Sequence, residues 1–131
     1  MKSLFNQTDN AEFIDRIDKF TPSASALWGK MNVAQMLSHC QLLYKINMGE
    51  VQLKQVFLGL IFGKMAKKQL LSDAPIKKNL PTFKQALVKG QRNFDDEKKT
   101  LKELVKRMGT TGPEGLTKNP HPFFGSLTAE E

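Results

Sequence analysis

The sequence has few of the residues from which disulfide-stapled proteins, metal clusters and nucleotide sites are built. Its 131 residues include a single cysteine, Cys40, which excludes an internal disulfide and any site made of several cysteines. The two histidines, His39 and His121, are too far apart to form a ligand pair on one helix. Phosphate-binding glycine loops, nucleotide fingerprints and paired catalytic carboxylates are also missing. Several common classes of catalytic site are therefore excluded.

Long hydrophobic runs are missing as well. The most apolar stretch, residues 56–63, is far shorter than the ~20 residues that a membrane-spanning helix requires, and the first residues lack the apolar core of a signal peptide. Val and Ile are sparse, whereas Leu, Lys, Met, Gln and Ala are plentiful, which favours helices over strands. We therefore expect a single all-α domain over residues 1–131, in a reducing cytoplasm, with no membrane partner.

The positive charge is concentrated in the middle of the chain. Residues 64–107 contain 13 Lys or Arg and 5 Asp or Glu, a net charge of +8, against +7 for the whole chain. Such a segment is typical of proteins that bind an anionic ligand, a membrane surface or nucleic acid. Few aromatic residues are interleaved with the lysines to stack on bases, so we do not expect nucleic acid. The simplest interpretation of the lysine cluster is a solvated face; its members are Lys64, Lys67, Lys68, Lys77 and Lys78.

Apolar residues recur with a helical period in three segments. They predict helices over residues 10–20, 33–48 and 94–108. Each follows a residue type that favours the N-cap position, and these residues are Asp9, Asn32 and Asn93. Gly49 and Gly109 are expected to end the second and the third helix.

The segment between the second and third predicted helices has weaker signals. Residues 51–71 begin apolar and become basic, which predicts at least one helix, broken near Gly59 or Gly63. Residues 72–92 are punctuated by proline and glycine, and we expect them to be mostly loop.

The last residues carry a separate signal. Thr128 is followed three residues later by Glu131, the spacing of a capping box, which marks the start of a helix. A helix of one turn is not stable in water, and too few residues follow Thr128 to form a longer one. We therefore expect the natural protein to continue, and the architecture of residues 1–131 to be an up-and-down bundle that lacks its last helix.

His39 is the strongest candidate for a functional side chain. It shares an apolar arc of the second helix with Met36, Leu43 and Ile46, so we expect it to face the interior of the bundle. A buried imidazole needs a hydrogen-bond partner, a metal or a proton-exchange role. From spacing alone, a core histidine bonded to a backbone carbonyl or to water is the simpler interpretation, because one histidine is not a metal site.

Cys40 and His121 are weaker candidates. Neighbours on a helix point about 100° apart, so Cys40 and His39 do not form a nucleophilic pair, and Cys40 is interpreted as a small core residue. His121 is held extended between two prolines. It either lines the mouth of a pocket or fixes the local backbone, and the structural role is the simpler interpretation.

Four blocks of the sequence resemble a known family. They are WGKMNVAQMLSHC at residues 28–40, FGKMAKK at 62–68, KNLPT at 78–82 and HPFFGSLT at 121–128. Together they are similar to a bacterial subfamily, without an established reaction, of the DinB/YfiT-like metalloenzyme superfamily. The resemblance covers essentially the whole chain. It implies a four-helix bundle, in agreement with the helices predicted from periodicity.

The resemblance also implies a role for His39. Members of the superfamily bind a divalent metal, of the zinc, nickel or iron class, through three histidines. One lies on the second helix, at the position of His39, and two form an H-x-x-x-H pair on the last helix. Because that pair is absent from this sequence, we expect no properly formed metal site within residues 1–131. Characterised relatives include metal-dependent thiol transferases and isomerases.

Two functional hypotheses follow. The first is a metal-dependent enzyme of transferase or hydrolase type that acts on a small molecule, with His39 as one ligand in the complete protein and the metal lowering the pKa of a bound thiol or water. The second is a non-catalytic binding protein. An incomplete bundle would leave an apolar groove along the second helix, and this groove and the basic middle of the chain would bind an anionic or apolar partner. Both are compatible with a homo-oligomer.

Overall fold

The structure, a computed structural model, describes residues 2–54, 56–72, 75, 78, 80, 82, 84–129 and 131. Within these residues the chain forms four α-helices and no strand. The helices are α1 (Gln7–Asp18), α2 (Val33–Asn47), α3 (Phe57–Leu70) and α4 (Phe94–Thr111), with short 3₁₀ turns at Lys84–Ala86 and Pro113–Gly115. The all-α class predicted from the sequence is confirmed.

The hydrophobic core lies between α1, α2 and α4. Helix α4 packs against both α1 and α2. The buried apolar residues at their contact are Ile17, Val33, Leu37, Leu101 and Val105. Leu37 and Val105 are completely buried, so the α2–α4 contact forms the centre of the core. Burial of such apolar surface is the main force that holds these three helices together.

Asparagine side chains cap α2 and α4 as predicted. The Asn32 side chain accepts the backbone N–H of Gln35, and the Gln35 side chain accepts the backbone N–H of Asn32, which makes a complete capping box. The Asn93 side chain accepts the N–H of Asp96 in the first turn of α4. Both predicted helix starts are confirmed.

The predicted bounds of α1 are wrong at both ends. The helix begins at Gln7, because the Asn6 side chain, rather than that of Asp9, caps its first turn. The Asp9 carboxylate lies inside the helix and accepts the backbone N–H of Ser3 instead. The helix ends at Asp18, two residues before the predicted end.

The prediction that Gly109 ends α4 is also wrong. The helix continues through Gly109 to Thr111 and ends at Gly112, whose φ of 72° suits glycine. A Cβ atom on Gly109 would lie 2.5 Å from Nδ2 of Asn10 and 3.1 Å from the carbonyl oxygen of Leu4. Gly109 therefore serves the packing of α1 on α4 rather than the end of the helix.

Helix α3 runs unbroken through Gly59 and Gly63, contrary to the predicted break. A Cβ on Gly59 would lie 2.6 Å from the carbonyl oxygen of Phe123, and a Cβ on Gly63 would lie closer still. The N–H of Val56 donates to the carbonyl of Pro122 at 3.0 Å. These glycines therefore allow the turn at residues 121–125 to approach the backbone of α3.

The loop predicted over residues 72–92 is described only in part. Residues 73–74, 76–77, 79, 81 and 83 of this segment lie outside the described residues. In the described remainder, the short 3₁₀ turn at Lys84–Ala86 is the regular element.

Candidate functional site

His39 lies on the side of α2 that faces the 84–90 segment. The side chain is half-buried, and its Nδ1 is 2.8 Å from the carbonyl oxygen of Ala86. At 100° per residue, His39 is about 160° around α2 from Leu37, which lies at the centre of the core. The segment around the 3₁₀ turn, rather than α1 and α4, therefore covers His39.

This contact fixes the tautomer of the imidazole. A carbonyl oxygen only accepts hydrogen bonds, so Nδ1 of His39 donates in this contact, and in the tautomer that it selects the lone pair is on Nε2. Metal-binding histidines commonly donate their other ring N–H to a backbone carbonyl, which orients the ring and raises the basicity of the ligating nitrogen. A structural histidine makes the same bond. The geometry therefore serves both interpretations of His39 that the sequence left open.

A second side chain of α2 holds the same segment. The amide nitrogen of Gln35 donates to the carbonyl of Gly90 at 2.9 Å, while its amide oxygen completes the capping box. Gln35 and His39 are four residues apart and therefore lie on one face of the helix. Together they bind two carbonyl groups of the 84–90 segment and set its position over α2.

The apolar arc predicted on α2 is wrong in part. Leu43, which belongs to the predicted arc, is half-exposed, whereas the polar residue Gln41 is buried. The Gln41 amide nitrogen donates to the carboxylate of Glu97 at 2.6 Å and to the backbone carbonyl of Glu97 at 3.2 Å, and these bonds allow Gln41 to be buried. Hydrogen bonds of this kind offset the cost of burying an amide. The polar–apolar pattern alone does not reveal them.

His39 is not joined by a ligand set in the part of the chain that the structure describes. No group of three or more His, Cys, Asp or Glu side chains that could hold a metal ion is found there. The thiol of Cys40 packs with the sulfur of Met36 at 3.7 Å, and burial raises the pKa of that thiol. Burial and then the neighbouring Cys40 raise the pKa of Tyr44 to about 12. Both groups therefore stay neutral near pH 7.

His121 organises the turn that packs on α3. Its Nδ1 accepts the N–H groups of Phe123 and Phe124, each at 3.2 Å, and its ring stacks on that of Phe124 with 4.7 Å between centroids. Its backbone exchanges two hydrogen bonds with Gly125, at 2.8 and 3.0 Å. Burial lowers the pKa of His121. These contacts favour the structural interpretation of this residue.

The hydrogen bonds of the predicted capping box are formed at Thr128. Its N–H donates to the carboxylate of Glu131 at 3.0 Å, and the N–H of Glu131 donates to the Thr128 hydroxyl at 3.3 Å. The same carboxylate pairs with Lys67 of α3 at 2.8 Å. The hydrogen bonds from Lys67 and Thr128 lower the pKa of Glu131. Thr128 and Glu131 are therefore tied to the side of α3.

An open groove of about 1080 Å³ lies between α1 and α4, away from His39. Its lining includes Lys98 and Lys102. Lys98 donates to the carbonyls of Asp18 and Phe20, and Lys102 donates to the Asp18 carboxylate at 2.7 Å. These two cations therefore stabilise the end of α1.

Comparison of the chain with family models, curated proteins and solved structures gives no match. The DinB-like resemblance of the sequence blocks therefore stays a prediction. A separate finding concerns membranes: none of the described helices has the length and apolar character needed to cross a bilayer.

Proposed function

We propose that this protein is a DinB-like, divalent-metal-dependent enzyme of transferase or hydrolase type, in which Nε2 of His39 binds the metal. The observation that carries the proposal is the 2.8 Å contact between Nδ1 of His39 and the carbonyl of Ala86. That bond supports the proposal because it would orient the ring and leave the lone pair of Nε2 for a metal. A zinc, nickel or iron ion at this position would lower the pKa of a bound water or thiol to give a nucleophile.

The other two metal ligands of this proposal come from the family resemblance alone. In the family that the sequence resembles, an H-x-x-x-H pair lies on a helix that follows the block matched by residues 121–128. The Thr128 and Glu131 side chains make the two hydrogen bonds that satisfy backbone N–H groups in the first turn of a capped helix. The Lys67–Glu131 ion pair holds these residues beside α3.

The metal content of the protein expressed to its natural stop codon tests this proposal. After loading with Zn²⁺, Ni²⁺ or Fe²⁺ and removal of excess ion, we expect about one metal per chain. His39→Gln should lose the metal. The glutamine amide is able to donate to the carbonyl of Ala86, as Nδ1 of His39 does, but it has no nitrogen that replaces Nε2 as a metal ligand. The apo form of this variant should melt within a few degrees of the apo wild type, about the effect of a change of one kcal/mol or less.

His121→Asn is the matched histidine control. An asparagine side chain is able to accept the N–H groups that Nδ1 of His121 accepts, so this variant should fold and keep its metal. Equal metal content in wild type and His39→Gln would contradict the ligand role of His39. A wild type that keeps no metal after loading would contradict it as well.

A non-catalytic binding function is the alternative, and one observation favours it. Helix α3 exposes large apolar side chains, among them Phe57 and Met65, beside its lysines. A binding protein of this kind needs no metal, so metal content separates the two functions.

A further inference from the structure

One face of α3 exposes a row of large apolar side chains. Phe57 is 72% exposed, Ile61 56% and Met65 67%. These residues are spaced by four, so they follow one line along the helix surface, and we call them the apolar row. Phe62, 47% exposed, lies beside it. Apolar patches of this kind on a protein surface commonly mark interaction sites.

The apolar row points away from the body of the protein. Gly59 and Gly63 lie about 180° around α3 from Ile61, and their backbone packs on Phe123. Among the described helices, extensive packing occurs between α4 and α2 and between α4 and α1, and α3 makes no comparable contact. The apolar row therefore lies on the face of α3 opposite the face that contacts Phe123.

The segment that carries the apolar row is strongly basic. Residues 51–72 contain four lysines and no acidic residue, and residues 51–92 carry a net charge of +8, more than the +7 of the whole chain. Lys64 and Lys68 are exposed and, at 100° per residue, border the row. An occupant of this face therefore has to combine apolar surface with negative charge.

We propose that α3 lies on an anionic lipid surface. The apolar row would enter the boundary between headgroups and acyl chains, and Lys64 and Lys68 would contact lipid phosphates. Helices that lie in the plane of a membrane interface combine an apolar face with flanking Lys residues and need not span the bilayer. The proposal revises our expectation of no membrane partner, which rested on the length of apolar runs. It does not depend on the metal-enzyme proposal.

Charge and shape favour lipid over the other occupants. Two copies joined through the apolar row would bring the lysines of both segments together, with no acidic residue in 51–72 to offset them. A protein partner would need a groove shaped to a protruding single helix and lined with acidic residues. A lipid surface provides apolar depth and negative charge without shape complementarity.

Vesicle flotation of the protein expressed to its natural stop codon tests the proposal. We expect binding to vesicles of equal parts phosphatidylcholine and phosphatidylserine, weaker binding in high salt, and none to phosphatidylcholine alone. Ile61→Glu should reduce binding at least about tenfold, because it places a charge in the apolar row. Lys64→Glu combined with Lys68→Glu should reduce it at least about thirtyfold.

The matched control changes the same net charge on α4. Lys99→Glu combined with Lys106→Glu alters two exposed lysines of that helix and should leave most of the binding intact. An equal loss of vesicle binding in both double variants would overturn the proposal, because the binding would then depend on the net charge rather than on the face of α3. Both double variants change only surface residues, and circular dichroism checks that they keep their helical content. The test therefore does not rely on Ile61→Glu alone.

Three further results would overturn the proposal. Failure of the wild type to bind the anionic vesicles would show that the apolar row is not a lipid-binding surface. A wild-type dimer in light scattering that Ile61→Glu converts to a monomer would assign the row to a second copy. Binding to polyglutamate without binding to vesicles would indicate an acidic protein partner. Unchanged metal content in the Lys64 and Lys68 variant would show that a loss of lipid binding is independent of the proposed metal site.

Discussion

The region around α1, α2 and α4 and the region around α3 use apolar residues in opposite ways. In the first, Leu37 and Val105 are completely buried, and Asn10 donates to the carbonyls of Leu4 and Val105, each at 2.9 Å. In the second, the apolar row of α3 faces outward, while glycines contact the turn at residues 121–125. One region is held by packed side chains and the other by close approach of two backbones.

This difference shows that apolar content does not decide what a helix packs against. Helix α4 is largely polar, yet its few apolar residues lie on one face and occupy the core. Helix α3 has more apolar residues and places its smallest ones, Gly59 and Gly63, at its contact with the body. The stability of the fold should therefore depend strongly on the first region and weakly on the apolar row.

The largest expected effect comes from equivalent truncations in the two regions. Leu37→Ala should lower the free energy of unfolding by about 2–5 kcal/mol, because it leaves a cavity in the packed core. Ile61→Ala should change it by less than about 0.5 kcal/mol, because its side chain is mostly exposed. Urea denaturation followed by circular dichroism measures both. Similar losses at the two positions would show that the apolar row is buried in solution.

Gly63→Ala tests the contact between α3 and the turn, with an intermediate expected effect. Alanine favours a helix interior over glycine by up to about 1 kcal/mol, but its Cβ would overlap the carbonyl oxygen of Phe123. Relief of the overlap costs about 1–3 kcal/mol, so we expect a net loss of stability. Amide exchange at His121 and Gly125 should speed up because the turn must move.

Gln69→Ala is the control for that substitution. Its side chain is exposed on the same helix and away from the turn, so only helix propensity should change. If Gly63→Ala stabilises the protein and leaves exchange in the turn unchanged, the close contact between α3 and Phe123 would be contradicted.

Local signals in the sequence were enough to predict several helix starts. The caps at Asn32 and Asn93 were predicted because an N-cap acts within three or four residues of chain. The start of α1 was missed because Asn6 and Asp9 are both good N-cap residues, and in the structure the Asn6 side chain accepts the N–H groups of Thr8 and Asp9. Local patterns therefore narrow the choice of a helix start without always selecting the right residue.

The candidate site was predictable only in part, for the same reason. The sequence singled out His39, but the carbonyl that fixes its tautomer belongs to Ala86, 47 residues away. The bonds that bury Gln41 come from Glu97, 56 residues away. Periodicity identified an apolar segment in α3 but did not indicate which of its faces would be covered. Contacts between distant segments decide each of these features, and no local pattern encodes them.

The smallest expected effect is a pH dependence confined to the turn at residues 121–125. Burial lowers the pKa of His121 below that of a free histidine, about 6.5. Between that value and the lower folded-state pKa, the unfolded chain binds more protons at His121 than the folded chain does. The contribution of His121 to the free energy of unfolding should therefore be complete above about pH 6.5 and decrease as the pH falls through this window.

His121→Asn removes the titrating group. The difference in free energy of unfolding between wild type and variant, measured by urea denaturation, should therefore change with pH only in this window. Exchange of the Phe123 and Phe124 amides, relative to their intrinsic rates, should speed up as the pH falls through the folded-state pKa, because a protonated Nδ1 no longer accepts their hydrogen bonds. A slope shared by both proteins would show that other groups cause it, and an effect on α2 and α4 amides alone would place it in the core rather than the turn.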